Sequence, residues 1–164
     1  MSGFLLDLFR HPHPIVVHFP IALIVVAAAY DLITVVRHRE IPPGRGLLLW
    51  LVAAAGAALA VATGPEHDAR GISAWFEPHE RLADVTLILT LIVAAWRLWA
   101  VWRHRPVGGA VKKTAYAILS LSAAVAVLVS GYYGGQMVYE EAIGVSMNGN
   151  LVHPPIPGSH GEHD

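Results

Sequence analysis

The chain has 164 residues, of which 55% are hydrophobic and only 14% charged, and its formal net charge is −1. This composition is typical of an integral membrane protein. The chain contains no cysteine, which excludes disulfides, thiolate-bound zinc and cysteine-ligated iron–sulfur clusters. A net charge near zero, with the basic residues gathered between apolar stretches, gives no indication of nucleic-acid binding.

Four apolar stretches are long enough to span a hydrocarbon core of about 30 Å, which takes roughly 20 helical residues. They cover residues 14–36, 46–63, 83–102 and 110–133. Because backbone polar groups must be satisfied internally in lipid, each stretch is predicted to be a helix. Short connectors make consecutive helices antiparallel neighbours, so the predicted fold is all-α, an integral membrane four-helix up-down-up-down bundle. The membrane domain is predicted over residues 1–145, followed by a polar, His/Pro-rich periplasmic tail at 146–164.

The connectors between these helices differ in charge. Residues 37–45 carry three arginines against one glutamate, and residues 103–113 carry four basic residues and no acid. By the positive-inside rule, both connectors lie in the cytoplasm. Both termini and the connector 64–82 are therefore predicted on the periplasmic side of a bacterial inner membrane.

Histidines are concentrated where the first and third predicted helices begin. An ionisable side chain inside a bilayer is costly, so His18, about one turn inside the first helix, is a candidate functional residue. His79 begins the third helix, which runs in the same direction as the first, so His79 enters the membrane at the same level as His18. The first and third helices are diagonal in such a bundle, and bundle cores hold cofactors with side chains from facing helices.

This arrangement predicts a haem b near the periplasmic face, with His18 and His79 as its axial ligands. His13, Glu80 and Tyr139 are predicted to hydrogen-bond the assembly or to substitute as ligands. The predicted helices contain no second histidine pair near their cytoplasmic ends. This disfavours electron transfer across the membrane through two haems.

Two other interpretations stay open. A zinc, copper or iron site could be built from His13, His18, His67 and His79, since imidazole suits all three metals. Alternatively the protein binds no metal and is a structural subunit that packs against a larger membrane complex through a stripe of small residues on the second helix (Ala53, Gly56, Ala60, Gly64). We find no serine–histidine–acid set, phosphate loop or paired carboxylates in the sequence. The sequence therefore gives no indication of an enzyme that acts alone.

Asp31 and Arg97 lie near the cytoplasmic ends of the first and third helices. Each precedes an arginine at its helix end by six residues, so their depths match. Charges inside a membrane usually pair, which predicts a structural Asp31–Arg97 salt bridge across the bundle. A proton relay or a contact with quinone is the alternative.

The stretch His13-Pro14-Ile15-Val16-Val17-His18-Phe19-Pro20, followed by Tyr30-Asp31-Leu32, resembles the opening of a bacterial family of predicted four-helix membrane proteins of unknown function. His79-Glu80-Arg81-Leu82-Ala83 is similar to its second motif, and Gly134-Gly135-Gln136-Met137-Val138-Tyr139 to its third. The family's recurrent positions correspond to His13, His18, Asp31, His79, Glu80, Gly135 and Tyr139, and His67 lies outside these motifs.

The resemblance implies a setting close to c-type cytochromes, in respiratory or photosynthetic electron transfer. We therefore expect a cytochrome b-like electron-transfer or accessory subunit of a redox complex. Its expected partners are the lipid bilayer, a c-type cytochrome or larger redox complex, and quinone.

Overall fold

A computed structural model describes residues 13–37, 40–64, 73–147 and 150–152. In chain order its elements are α1 (His13–Val16), α2 (His18–Arg37), α3 (Leu47–Ala62), α4 (Phe76–Trp102), α5 (Ala110–Tyr139), β1 (Ser146–Met147) and β2 (Asn150–Leu151). The two short strands pair antiparallel as a small hairpin. Within the described ranges the four long helices confirm the all-α fold class.

Three helical segments are long and apolar enough to cross a membrane, His13–Arg37, Phe76–Trp102 and Ala110–Tyr139. The helix α3 is also strongly apolar, but its 16 residues give only about 24 Å of helix. Large apolar side chains are exposed along all four long helices, as at Phe19, Leu48, Ile88 and Ile118. So much exposed apolar surface is unfavourable in water and suits contact with lipid.

The four long helices form a ring in which each packs against two others. The helix α2 packs against α3 and α5, and α4 packs against the same two helices, so α2 and α4 are diagonal. The core between them is built largely of alanine (Ala27, Ala28, Ala53, Ala54, Ala94, Ala123, Ala124). Small side chains let helix backbones approach closely, which is how helices associate in a membrane where lipid is as apolar as leucine.

The two basic connectors meet at one end of this ring. The backbones of Ile41 and Val107 exchange two hydrogen bonds, each with an N···O distance of 3.1 Å. Both side chains are buried, at 0% and 3% exposure. The two connectors therefore lie at the same end of the bundle, and their predicted location in the cytoplasm stays a prediction from the charge pattern.

The first span is interrupted at Val17, between α1 and α2. Pro20 has no amide hydrogen for the carbonyl of Val16, so the regular hydrogen-bond ladder is broken there. Pro20 is buried against α3, where a Cβ added at Gly56 would lie 3.4 Å from its Cδ. Ala53, on the same stripe of α3, is fully buried. This part of the small-residue stripe therefore packs α3 within the chain rather than facing a partner protein.

Two helix boundaries differ from those predicted. The helix α4 begins at Phe76 rather than at residue 83, and α5 continues to Tyr139 rather than ending at residue 133. The extensions support each other, because Phe76 is buried against Met137 and Ile143. The ring of Trp75 also stacks on that of Tyr133, with centroids 5.7 Å apart. Of the predicted tail, residues 153–164 lie outside the described residues.

The close approach at Gly56 predicts a specific cost for a large side chain there. Gly56→Leu forces α3 away from Pro20 and should lower the free energy of unfolding by about 1–3 kcal/mol, the usual effect of overpacking. Unfolding of the protein in detergent, followed by circular dichroism, measures this. Ala58→Leu, on an exposed position of the same helix, is the control; equal effects of the two substitutions would contradict the packing described.

Candidate functional site

His79, near the start of α4, is held by the backbone of α5. Its Nδ1 lies 2.8 Å from the carbonyl oxygen of Ser130, and the Ser130 hydroxyl donates to the carbonyl of His79 at 3.2 Å. A carbonyl oxygen only accepts hydrogen bonds, so Nδ1 carries the hydrogen. The lone pair of the neutral ring is therefore on Nε2, the nitrogen that is left to bind a ligand.

Gly134, one turn beyond Ser130 on α5, makes room for this ring. A Cβ added at Gly134 would lie 3.1 Å from Cε1 and 3.3 Å from Nδ1 of His79. These distances are shorter than ordinary van der Waals contact, so a side chain at this position would push against the imidazole. The helix α5 continues through Gly134 and Gly135 without ending there. The absence of a side chain at Gly134 lets the His79 ring pack directly against the backbone of α5.

His13, at the start of α1, is held in the same manner by α3. Its Nδ1 lies 3.1 Å from the carbonyl oxygen of Ala60, so Nδ1 again donates and Nε2 again keeps its lone pair. The His13 side chain is partly buried. We call His13 and His79 the histidine pair. They lie at the starts of the first span and of α4, at the end of the ring opposite to the basic connectors.

His18 has a different environment. Its side chain is exposed, and its Nδ1 bonds the carbonyl oxygen of Pro14, one turn earlier in the chain. Positions 13 and 18 are five residues apart, which separates their side chains by about 140° around a helix. The structure thus gives the two histidines different environments. His13 bonds the backbone of another helix, as His79 does, whereas His18 bonds the backbone of its own span. The sequence named His13 only as a substitute ligand.

The other residues predicted for this site are more distant from it or are not described. Glu80 is partly buried beside His79, Tyr139 is 89% exposed at the end of α5, and His67 lies outside the described residues. Within the described ranges, no group of three or more histidine, cysteine, aspartate or glutamate side chains is arranged to hold a metal ion.

A second polar site, which we call the buried polar cluster, lies at the connector end of the ring. It consists of Asp31, Trp50, Arg97 and Tyr116, one residue from each long helix, and none is more than 1% exposed. The carboxylate oxygen Oδ2 of Asp31 accepts a hydrogen bond from Nε1 of Trp50 at 2.6 Å and another from the hydroxyl of Tyr116 at 2.5 Å.

The predicted Asp31–Arg97 salt bridge is not formed as a direct contact, although both residues are described and their charges attract each other. Arg97 instead donates from Nη2 to the carbonyl oxygen of Pro42 at 3.2 Å. Its guanidinium lies 5.7 Å from the centroid of the Tyr116 ring. Two neutral donors, Trp50 and Tyr116, occupy Oδ2 of Asp31, and the Tyr116 ring lies against the guanidinium.

The cluster contains two residues that the sequence analysis did not assign to it, Trp50 and Tyr116. Their depth was a usable signal, since each lies in the first turns of a helix that begins at the connector end, at the level of Asp31. A second usable signal was the number of residues between the histidine and the charged residue in the first span (α1–α2) and in α4. Asp31 follows His13 by 18 residues and Arg97 follows His79 by 18, or five full turns in an ideal helix, which returns a side chain to the same face.

Removal of one hydroxyl tests the cluster. Tyr116→Phe deletes a hydrogen bond to a buried carboxylate and should lower the free energy of unfolding by about 1–3 kcal/mol. Chemical unfolding in mixed micelles, followed by tryptophan fluorescence, measures the change. Tyr139→Phe, at an 89% exposed position, is the control and should change stability by less than about 0.5 kcal/mol. A Tyr116→Phe protein as stable as this control would contradict the buried bond.

A family model described as "Predicted membrane protein (DUF2231)" matches residues 10–147. No curated protein and no solved structure matches the chain. The match covers both the histidine pair and the buried polar cluster, and it confirms the resemblance to a membrane-protein family of unknown function. The chain belongs to the DUF2231 family of predicted membrane proteins.

Proposed function

We propose that this protein is a multi-pass subunit of a redox complex in the bacterial inner membrane, and that it carries one haem b between His13 and His79. The observation that carries the proposal is the position of the hydrogen on the imidazole rings of His13 and His79. Each donates its Nδ1 hydrogen to a backbone carbonyl oxygen, and each keeps the lone pair of Nε2 for a ligand. Metal-binding histidines almost always have such an outer hydrogen bond, which fixes the ring and raises its basicity.

The number of available ligands favours haem over a bare metal ion. A structural zinc site takes four protein ligands and a catalytic one takes three. Haem iron is already bound by the macrocycle and needs one or two axial side chains. The described residues offer two imidazoles here and no third histidine, aspartate or glutamate arranged with them. Two ligands are enough for haem and too few for zinc.

The chain's own groups would orient and tune the cofactor. Haem supplies one-electron oxidation and reduction, for which the protein sets the potential through axial ligands, hydrogen bonds and burial. The carbonyl oxygens of Ala60 and Ser130 would hold the two imidazoles, each on a different helix from its histidine. Gly134 would keep the His79 ring in place by leaving room for it.

The position of the pair suggests the redox partner. Within the described helices, histidines occur only near the starts of the first span and of α4, at the end opposite to the basic connectors. By the positive-inside rule this end is periplasmic. A haem there would exchange electrons with a periplasmic c-type cytochrome or with quinol in the outer leaflet, rather than pass them across the bilayer.

The visible spectrum of the protein purified from its native membrane tests the assignment. We expect a reducible Soret band and a sharp α band from a haem with two histidine ligands. His13→Ala and His79→Ala should each abolish this spectrum, because each removes one axial ligand. His18→Ala, which alters an exposed imidazole in the same stretch of chain, is the matched control and should leave the spectrum unchanged.

A native protein without absorption in the visible range would overturn the haem proposal. Elemental analysis of the same sample would then test for zinc, copper or iron. Loss of the spectrum in His18→Ala, with retention in His13→Ala, would keep the haem and assign His18 as the ligand instead.

The packing of the His79 ring against Gly134 gives a second test of His79 as a haem ligand. Gly134→Ala pushes a methyl group against Cε1 and Nδ1 of His79 and should weaken haem retention about tenfold, the lower end of the effects seen when outer hydrogen bonds to metal ligands are disturbed. The haem-to-protein ratio during titration with apomyoglobin, a haem acceptor, measures retention. Gly135→Ala is the control, because a Cβ there would lie 3.9 Å from its nearest neighbour, Cδ2 of Tyr139. Equal retention in both variants would argue against His79 as a ligand.

A further inference from the structure

Four buried side-chain atoms at the connector end of the ring have no hydrogen-bond partner among the described residues. They are Oδ1 of Asp31, Nε and Nη1 of Arg97, and Oγ of Ser120. Their residues are 1%, 0% and 2% exposed. An unsatisfied buried group destabilises the folded protein, and a charged one does so more strongly. Buried polar atoms without partners are rare in folded proteins, and bound water is a common explanation for them.

The chemistry of these atoms identifies the occupant. The two arginine nitrogens only donate, the carboxylate oxygen only accepts, and the serine hydroxyl does either. A molecule between them must accept from the guanidinium and donate to the carboxylate. Water does both, and buried water typically makes about three hydrogen bonds to otherwise unsatisfied groups.

The cluster also contacts the first connector. The third nitrogen of the guanidinium, Nη2, donates to the carbonyl oxygen of Pro42, and Pro42 is an exposed residue of the first connector. Arg97 therefore reaches from the orphaned atoms to a segment that contacts solvent. The ionisable groups that act on Asp31 are Arg97 from α4 and Tyr116 from α5, while α3 contributes Trp50, which does not titrate.

We propose that water bound between Arg97 and Asp31 makes the buried polar cluster a proton-exchange site that opens toward the connectors. A proton arrives as hydronium from the connector side. One O–H bond of the hydronium breaks, one O–H bond forms at Oδ1 of Asp31, and a neutral water molecule remains. Release is the reverse step. Throughout, Trp50 and Tyr116 donate to Oδ2 and hold the carboxyl group in position. This site is independent of the proposed haem, which lies at the other end of the ring.

Infrared spectroscopy of the full-length protein in lipid nanodiscs tests this proposal directly. With the aspartate carboxyl groups labelled with ¹³C, we expect a C=O band of a protonated buried carboxyl to appear as the pH is lowered. The band should shift in D₂O within the mixing time, because bound water exchanges its hydrogen with the solvent. Asp31→Asn should remove it. A chain that keeps only Asp31 among its five aspartates should retain it, and this second variant assigns the band even if Asp31→Asn does not fold.

Ser120 provides the matched pair of variants. Ser120→Ala removes one partner of the bound water and should slow the D₂O shift about two- to tenfold, the effect of one hydrogen bond. Ser122→Ala, on an exposed position of the same helix, should leave the rate unchanged.

Three results would overturn the proposal. One is the absence of a protonated Asp31 band at every pH at which the protein stays folded. Another is a band that does not shift in D₂O over hours, since a dry cluster has no route for exchange. The third is an equal effect of Ser120→Ala and Ser122→Ala, which would place no water against Ser120.

Discussion

The 2.8 Å hydrogen bond from Nδ1 of His79 to the carbonyl oxygen of Ser130 decides which nitrogen of the ring can bind a ligand. The bond from His13 to Ala60 does the same for the facing ring. In both cases the acceptor is a backbone carbonyl of a neighbouring helix. The tautomers therefore follow from how the helices pack, and the packing in turn depends on small residues such as Gly56 and Gly134 that let the helices approach. The candidate site is in this sense a property of the whole bundle.

The first span and α4 have the same spacing between their polar residues. Each carries a histidine near one end and a charged residue 18 residues later, His13 with Asp31 and His79 with Arg97. In an ideal helix this spacing is five turns and about 27 Å, nearly the thickness of the hydrocarbon core. The first span and α4 therefore each place a histidine at one end of the ring, and they place opposite charges at the other end. Between them, the core is mainly alanine with a few hydroxyl groups.

Hydropathy was sufficient to predict the helical fold, because length and apolarity set which stretches suit a bilayer. It could not predict where the helices end outside the lipid. The fourth helix was predicted to end at residue 133, yet α5 continues to Tyr139 because Phe76 and Met137 pack together beyond the apolar region. The predicted stretch 46–63 also overestimated the length of α3, which is shorter than the other apolar helices.

The depth of the candidate histidines follows from the sequence, whereas a choice between His13 and His18 also needs their rotation about the helix. His13 and His18 both lie in the first turns of the first span, so depth alone does not choose between them. Rotation about the helix does, since His13 is 18 residues from the buried Asp31 and shares its face, whereas His18 does not. At the other end, matching depths place Asp31 and Arg97 at one level, where both contact Tyr116. They could not show that Trp50 and Tyr116 would satisfy one oxygen of the carboxylate, because those residues come from other helices.

A cryo-electron microscopy structure of the protein purified from its native membrane would show whether a haem lies at the histidine pair. We expect porphyrin density between His13 and His79, with both Nδ1 atoms still bonded to the carbonyl oxygens of Ala60 and Ser130. Density in which aliphatic side chains alone fill the space between the two rings would contradict it.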